Sequence, residues 1–244
     1  MKDVEKLIDK KINQAILRYK MIEDGDRILI AVSGGKDSMT LAHHLGKKAG
    51  SRFHIQFDIH AVHVRTDFDN SVEKTGFEQY LRDRKIPFTI IDVPVLARLK
   101  PGKKMNCYWC SSQRRMELMK FASENGYNKI ALGHHMDDIL ETFFMNMSYK
   151  GELSTMLPVL KYDNYPQTLI RPMALIKESE IITFADRSGL SKITCTCNYD
   201  TQSKRKDMRS VINFMAAEDE SIRDNIYRAL SNPIPRYMIN NEEN

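Results

Sequence analysis

Apolar side chains recur along this chain in two rhythms. Val4, Leu7, Ile8, Ile12, Ala15 and Ile16 fall three and four residues apart, which predicts an amphipathic opening helix. EDGDR then turns the chain into a short buried strand, RILIAV (27–32). A helix follows over 37–49, ended by Gly50. The same exchange repeats: strand 54–64, helix 71–85, and strand 88–93, stopped by Pro94. After an irregular basic stretch, ARLKPGKKMNCYWC (97–110), a helix is predicted from about Ser111 to Glu124. Strand 128–133 and helix 136–148 close the regular part. Beyond Gly151 the pattern loosens to one strand, TLIRPM (168–173), and one helix, KESEIITFADRSG (177–189). The tail from Ser203 reads as helical and frays after Ser231.

Strands alternating with helices of this length predict an α/β fold: a doubly wound, mostly parallel sheet covered on both faces. Its working edge is expected at the carboxyl ends of the strands, where the strand order reverses. Strands 27–33 and 128–133 are the expected pair, since each ends on a serine–glycine or glycine turn before a polar helix start. The organisation expected is an N-terminal helix (1–26), a central domain (27–216) and a C-terminal helix and tail (217–244).

Composition changes this picture little. The 244 residues are 42% hydrophobic and 28% charged, with a net charge of +5; such an excess allows an RNA partner without requiring one. No apolar run reaches the roughly 18 residues that span a bilayer, and the charged start MKDVEKLIDKK has no signal-peptide core. No membrane association and a cytoplasmic location are expected. Four cysteines, paired as Cys107/Cys110 and Cys195/Cys197, suit metal or redox chemistry better than a disulfide scaffold.

The most informative stretch is SGGKDS (33–38). Gly34 and Gly35 let the backbone bend tightly against a ligand. The helix that follows offers N–H groups and a positive dipole end. Lys36 adds a mobile charge, and Ser33 and Ser38 add hydroxyls. The pattern is neither the ordinary P-loop nor the dinucleotide glycine fingerprint. Its bland alternative is a serine-capped strand–helix turn. Cys107 and Cys110 lie at or just before a helix start, where thiolate is favoured, and Arg114 and Arg115 push the same way. A redox pair, a four-sulfur zinc site and iron–sulfur ligation all remain open on spacing alone. In LGHHMDDILETFFMN (132–146), Asp138 and Glu141 can share a helix face. They are either a solvated acidic helix start or include a Mg²⁺ ligand beside phosphates.

Taken in order, MIEDGDRILIAVSGGKDS, CYWCSSQRR, ALGHHMDDILETFFMN and IRPMALIKESEI resemble the tRNA 2-thiocytidine synthetase (TtcA) family of the PP-loop ATP pyrophosphatases. The likeness runs over about residues 12–216. It implies an adenine-nucleotide alpha-hydrolase-like fold with ATP on Ser33, Gly34, Gly35, Lys36, Asp37, Ser38, Gly133 and His134. It implies activation of a pyrimidine carbonyl oxygen, such as that of an anticodon-loop cytidine, and its replacement by sulfur. Asp37 and Asp138 are the expected Mg²⁺ and catalytic carboxylates, with Arg114 steadying nucleotide or sulfur. The family also implies a 4Fe–4S cluster on three cysteines. Cys107 and Cys110 match the first pair and Cys197 matches the first member of the second. Asp200 stands where the family has that pair's second cysteine, and Cys195 has no counterpart. Implied partners are tRNA, a sulfur donor system such as a cysteine desulfurase, and a second copy of the chain. The alternatives are a PP-loop sulfurtransferase for another nucleoside or small molecule, and a non-catalytic nucleotide- and zinc-binding RNA module.

ARLKPGKK (97–104) and SKRKDMR (203–209) are the candidate RNA-phosphate contacts. Each reads equally as a solvated face. Tyr108 and Trp109 either stack on a base or pack, and packing is expected for Trp109.

Overall fold

In the computed structural model, which describes residues 2–50, 55–67, 76–190 and 204–238, strand β1 (Asp26–Ala31) is enclosed on both sides. Ile28, Leu29 and Ile30 have no exposed surface. That is why its sequence shows an unbroken apolar run rather than an alternation. The sheet has six strands in the order β3 (Phe88–Val93), β2 (Phe57–Thr66), β1, β4 (Lys129–Ala131), β6 (Thr168–Ile170) and β5 (Val159–Lys161). The first five are parallel, and β5 runs antiparallel along β6. From β1 the chain winds outward to β2 and β3, then returns to pair β4 with the other side of β1. The order therefore reverses between β1 and β4, as the two glycine-bearing strand ends predict.

The lower end of that junction is pinned by polar contacts. Asp26 is buried; it accepts from Asn128 Nδ2 at 2.7 Å and pairs with Lys129 Nζ at 2.6 Å. Arg27 N–H donates to Asn128 Oδ1 at 2.9 Å. A one-residue slip would leave the buried carboxylate unpaired, so these contacts fix the register as firmly as the apolar pattern does.

One face of the sheet carries α1 (Lys2–Arg18), α2 (Lys36–Ala49), α3 (Gly76–Asp83) and α6 (Glu178–Ser188). Ile8 and Ile12 of α1 are fully buried, as the opening periodicity predicts. The opposite face carries α4 (Cys107–Glu124), whose Met119 and Ala122 close over Leu29, Val62, Val64 and Ile130. Helix α4 begins at Cys107, four residues before the predicted start at Ser111. The cause is Asn106, whose side chain accepts from Trp109 N–H at 2.9 Å and caps the helix. Two other elements differ from expectation. The edge strand β5 is too short to have registered as a pattern, and the strand predicted at 168–173 stops at Ile170.

Contacts divide the chain into two units, Met1–His135 with Leu157–Thr201, and Met136–Met156 with Gln202–Asn244. The first holds the whole sheet. The second is helical: α5 (Met136–Lys150), α7 (Lys204–Met215) and α8 (Ser221–Ala229), with a 3₁₀ turn at Pro235–Tyr237. It is tied by charge: Arg209 Nε meets the fully buried Glu141 at 2.6 Å, and Arg223 Nε meets Asp137 at 3.1 Å. Among the described residues no helix is long and apolar enough to cross a membrane.

Helices α1 and α2 are locked by Asp9. Its carboxylate lies 2.7 Å from the buried His44 Nδ1, 3.0 Å from Lys47 and 3.2 Å from Lys48. Burial pushes the Asp9 carboxyl up, but the hydrogen bonds from His44 and Lys47 and the charge of Lys48 outweigh it and hold it well below its ordinary 3.8. A depressed carboxylate stabilises the fold fully above its unfolded pKa, and that stabilisation is lost as pH falls through the folded value. Asp9→Asn is expected to lower unfolding stability by about 1.5–3 kcal/mol at neutral pH. In denaturant titrations the gap from the parent narrows only once pH drops below the ordinary carboxylate value.

Candidate active site

The turn after β1 is built from its own side chains. Ser33 N–H donates to Ser38 Oγ at 3.1 Å, Ser38 Oγ lies 3.0 Å from Gly35 O, and Gly35 N–H donates to Ser33 Oγ at 3.3 Å. Gly34 has φ +83°, a left-handed conformation that favours glycine. Gly35 is the N-cap of α2 and brings no side chain to its first turn. The helix start therefore faces outward through backbone N–H groups, the arrangement that receives anions.

Lys36 stands beside this turn, 3.0 Å from Asp37 Oδ1 and 2.9 Å from Glu178 Oε1. Burial presses its ammonium toward neutrality, but Asp37 and Glu178 outweigh that and raise its pKa above the usual lysine value. Asp37 Oδ1 is buried and, beyond that ion pair, takes part in no hydrogen bond. The buried His135 brings Nε2 to 3.9 Å from the same oxygen. Gly133, at the end of β4, is pressed on the loop: a Cβ there would lie 3.0 Å from Ser38 N and Cα and 3.1 Å from the Asp37 carbonyl carbon. Glycine is needed here for close backbone approach.

Between this edge and α4 opens a cavity of about 290 Å³. Its walls are apolar, from Val62, Val64, Leu118, Met119 and Ile130. Its polar margin comes from Ser33, His134, Ser111, Arg114 and Arg115. The Nε of Arg114 is buried without a hydrogen-bond partner, a cation disposed to meet an anion. His134 is oriented by Arg171, whose Nε donates to His134 Nδ1 at 3.2 Å.

Cys107 and Cys110 occupy the first turn of α4, the former exposed and the latter half-buried against the α4 core. Ser111 and Arg114 follow them at four-residue steps, so the cysteines and the cavity margin share one side of the helix. Arg114 is about 10 Å along the helix from Cys107, by the rise per residue. The remaining expected ligand, Cys197, lies outside the described residues, as do Cys195 and Asp200. Among the described residues no three of His, Cys, Asp or Glu are grouped to hold a metal.

The PP-loop domain family matches residues 4–215. The tRNA-cytidine(32) 2-sulfurtransferase of Syntrophotalea carbinolica is 36% identical over 237 residues, covering 95% of this chain and 91% of that protein. Its counterpart from Coxiella burnetii is 34% identical over 245 residues, covering 99% of this chain and 95% of that protein. The chain belongs to the tRNA-cytidine(32) 2-sulfurtransferase family of PP-loop proteins. Among solved structures, the U34-tRNA thiolase NcsA from Methanococcus maripaludis with its [4Fe-4S] cluster has the same fold, with TM-score 0.75 at 21% identity over 95% of this chain and 80% of that one.

Against the expected site of a tRNA-cytidine(32) 2-sulfurtransferase relative, the first unit gathers Ser33 to Ser38, Gly133, His134, Arg114, Cys107 and Cys110. Asp138 belongs to the second unit, where it sits 3.7 Å from Arg205 Nη1. It does share a helix face with Glu141, since Arg205 Nε lies 3.6 Å from Glu141. Glu141 is not a solvated acid: burial pushes its carboxyl up, and Arg209 offsets part of that.

The two basic runs diverge. Arg205 and Arg209 are engaged with α5 acids, so that run is in good part internal structure. In the other, Arg98 binds Glu117 at 2.7 Å, while Lys100, Lys103 and Lys104 are exposed. Trp109 packs as expected, donating Nε1–H to Val95 O at 3.2 Å, and Tyr108 is 82% exposed. Glu178 and Arg171 were not singled out from the sequence because each meets a partner on another element, Lys36 and His134 respectively.

Gly133→Ala is expected to displace the 33–38 turn, since its new methyl meets backbone rather than a movable side chain. ATP affinity measured by calorimetry should fall at least tenfold, while far-UV circular dichroism stays that of the parent.

Proposed function

We propose that this chain is an ATP-dependent tRNA sulfurtransferase that replaces the C2 oxygen of cytidine 32 with sulfur. The carrying observation is that α4 presents Cys107 and Cys110 on its first turn and Arg114 on the wall of a cavity whose far margin is Ser33 of the PP-loop.

In this reading the triphosphate lies on the α2 N-terminus, with Lys36 leaving Glu178 for phosphate oxygens and Gly34 and Gly35 allowing close backbone approach. The apolar walls suit the adenine ring. The cytidine O2 attacks the α-phosphorus and pyrophosphate leaves. A sulfur nucleophile then attacks C2, and AMP departs with the original oxygen. Arg114, buried at Nε without a partner, stabilises the negative charge that develops on phosphate or sulfur. Asp37 is the carboxylate assigned to Mg²⁺, with Asp138 the alternative; the Asp37 oxygen that makes no hydrogen bond supports the first. Cys107 and Cys110, two thiols one helical turn apart with arginines beyond them, fit thiolate ligation, and Cys197 is assigned as the third ligand. These thiolates would hold a 4Fe–4S cluster, which would supply a soft metal site for sulfur. A cysteine desulfurase as sulfur source and assembly as a homodimer complete the proposal.

Nucleoside mass spectrometry of tRNA tests it directly. Cells lacking the gene should lose 2-thiocytidine at position 32, and the restored gene should return it. Unchanged thiocytidine refutes the assignment. Lys36→Ala should slow ATP-dependent thiolation by roughly 10²–10³-fold and leave iron content at the parent level. Cys107→Ser and Cys197→Ser should abolish the brown colour and broad absorption near 400 nm of anaerobically purified protein, whereas Cys195→Ser should keep both. Loss of iron in Lys36→Ala would show that the two sites are not separate.

A further inference from the structure

A second cavity, of about 200 Å³, opens on another stripe of α4. Ser112, Arg115, Met116 and Met119 line it from the helix, and Tyr162 and Tyr165 line it from the loop that joins β5 to β6. The proposed mechanism uses none of the Tyr162, Tyr165 or Met116 side chains. Arg115 and Met119 also line the larger cavity, so they form a common wall one side chain thick. The two tyrosine rings meet edge-to-face, 6.0 Å apart at 78°, and Tyr165 is 43% exposed.

We propose that this cavity receives a nucleobase of the RNA substrate, one near the reacting cytidine and distinct from it. This inference rests on the proposed tRNA activity. The chemistry of the lining selects the ligand class. Aromatic faces and a guanidinium are what unstacked RNA bases stack on. Met116 and Met119 supply polarizable apolar contact that tolerates different rings. None of the six lining side chains is acidic, so a polyanion meets no repulsion. Pockets for drug-sized ligands begin at about 300 Å³; this smaller volume suits one ring system rather than a whole nucleotide. Tyr108 lies one turn before Ser112 on the same stripe and is almost fully exposed, and Lys100, Lys103 and Lys104 just upstream are exposed cations for the phosphates. An aromatic and cationic track thus leads along α4 into the cavity. A protein ligand has no such claim on the cationic stretch.

The test uses the full chain and an unmodified tRNA transcript. Tyr165→Ala should weaken tRNA binding, and raise KM for tRNA, by roughly 5- to 100-fold, the range a single base stack supplies. It should leave kcat and the affinity for a non-hydrolysable ATP analogue unchanged, because a base held away from the reacting atoms contributes equally before and in the transition state. Tyr165→Phe, which keeps the ring, should restore binding. Tyr162→Ala gives a second reading with the same expectation. The inference is overturned if both alanine variants bind tRNA like the parent, if phenylalanine fails to rescue, or if ATP affinity falls in parallel. A parent protein that neither binds nor thiolates tRNA would defeat the broader functional reading, an outcome separable from these because it appears before any substitution is made.

Discussion

The constraint on which the rest depends is the close approach of two strand ends. Gly133, just beyond β4, lies against the backbone of Asp37 and Ser38 at the start of α2, where a methyl would meet backbone atoms at 3.0–3.1 Å. That approach exists because β1 and β4 are neighbours although β2, β3 and the helices between them separate the two in sequence order. Each strand's continuation must diverge from the other's, which leaves a crevice above them of the kind that receives ligands in open α/β sheets. Buried Asp26 with Asn128 and Lys129 holds the opposite ends of the same pair together. The switch point is thus gripped below by ion pairing and above by backbone contact, and the PP-loop rests on the result.

Much of this was legible in the chain. The unbroken apolar RILIAV, the glycine-ended strands and the alternation with amphipathic helices are local signals, and local signals survive in sequence. The loop of residues 33–38 was legible for a related reason: so tight a strand–helix turn needs specific small residues at fixed spacing, whatever surrounds it. The start of α4 was less so. Lys103, Lys104 and the preceding Pro101-Gly102 read as an irregular segment, and the cap from Asn106 that starts the helix at Cys107 was hidden among them. The four-residue difference matters, because it moves both cysteines from a loop onto a helix and aligns them with Ser111 and Arg114.

Long-range partnerships were not legible at all. Lys36 reads as a phosphate-seeking lysine, yet in the protein it is held by Glu178, 142 residues away. Under the proposed function the arrangement makes physical sense: a lysine already charged and partnered needs no protonation to meet phosphate, only exchange of one anion for another. Arg205 and Arg209 teach the opposite lesson. Their run looked like an RNA-binding surface, but Glu141 is buried and must be neutralised, so α5 claims them. A cationic cluster in sequence stays open to solvent only where the fold leaves it without buried acids to satisfy, as it does at Lys100, Lys103 and Lys104.

Helix α4 is where these threads meet, and its composition reflects it. Its apolar side chains are spread around the helix rather than gathered on one stripe, because different sides are used: Met119 and Ala122 for the sheet, Ser111 and Arg114 for the larger cavity, Ser112 and Met116 for the smaller. A helix with a single apolar stripe needs only to bury it. One that forms the wall of two cavities must present arginine and serine between methionines, and amphipathicity is the feature it gives up. Weak amphipathicity in this capped helix therefore follows from the number of sides it puts to use. Cys107 and Cys110 at its head extend the same logic: the capped first turn carries two thiols beside the packed Trp109, so the helix orders both cavities and the cysteine pair along one rigid axis.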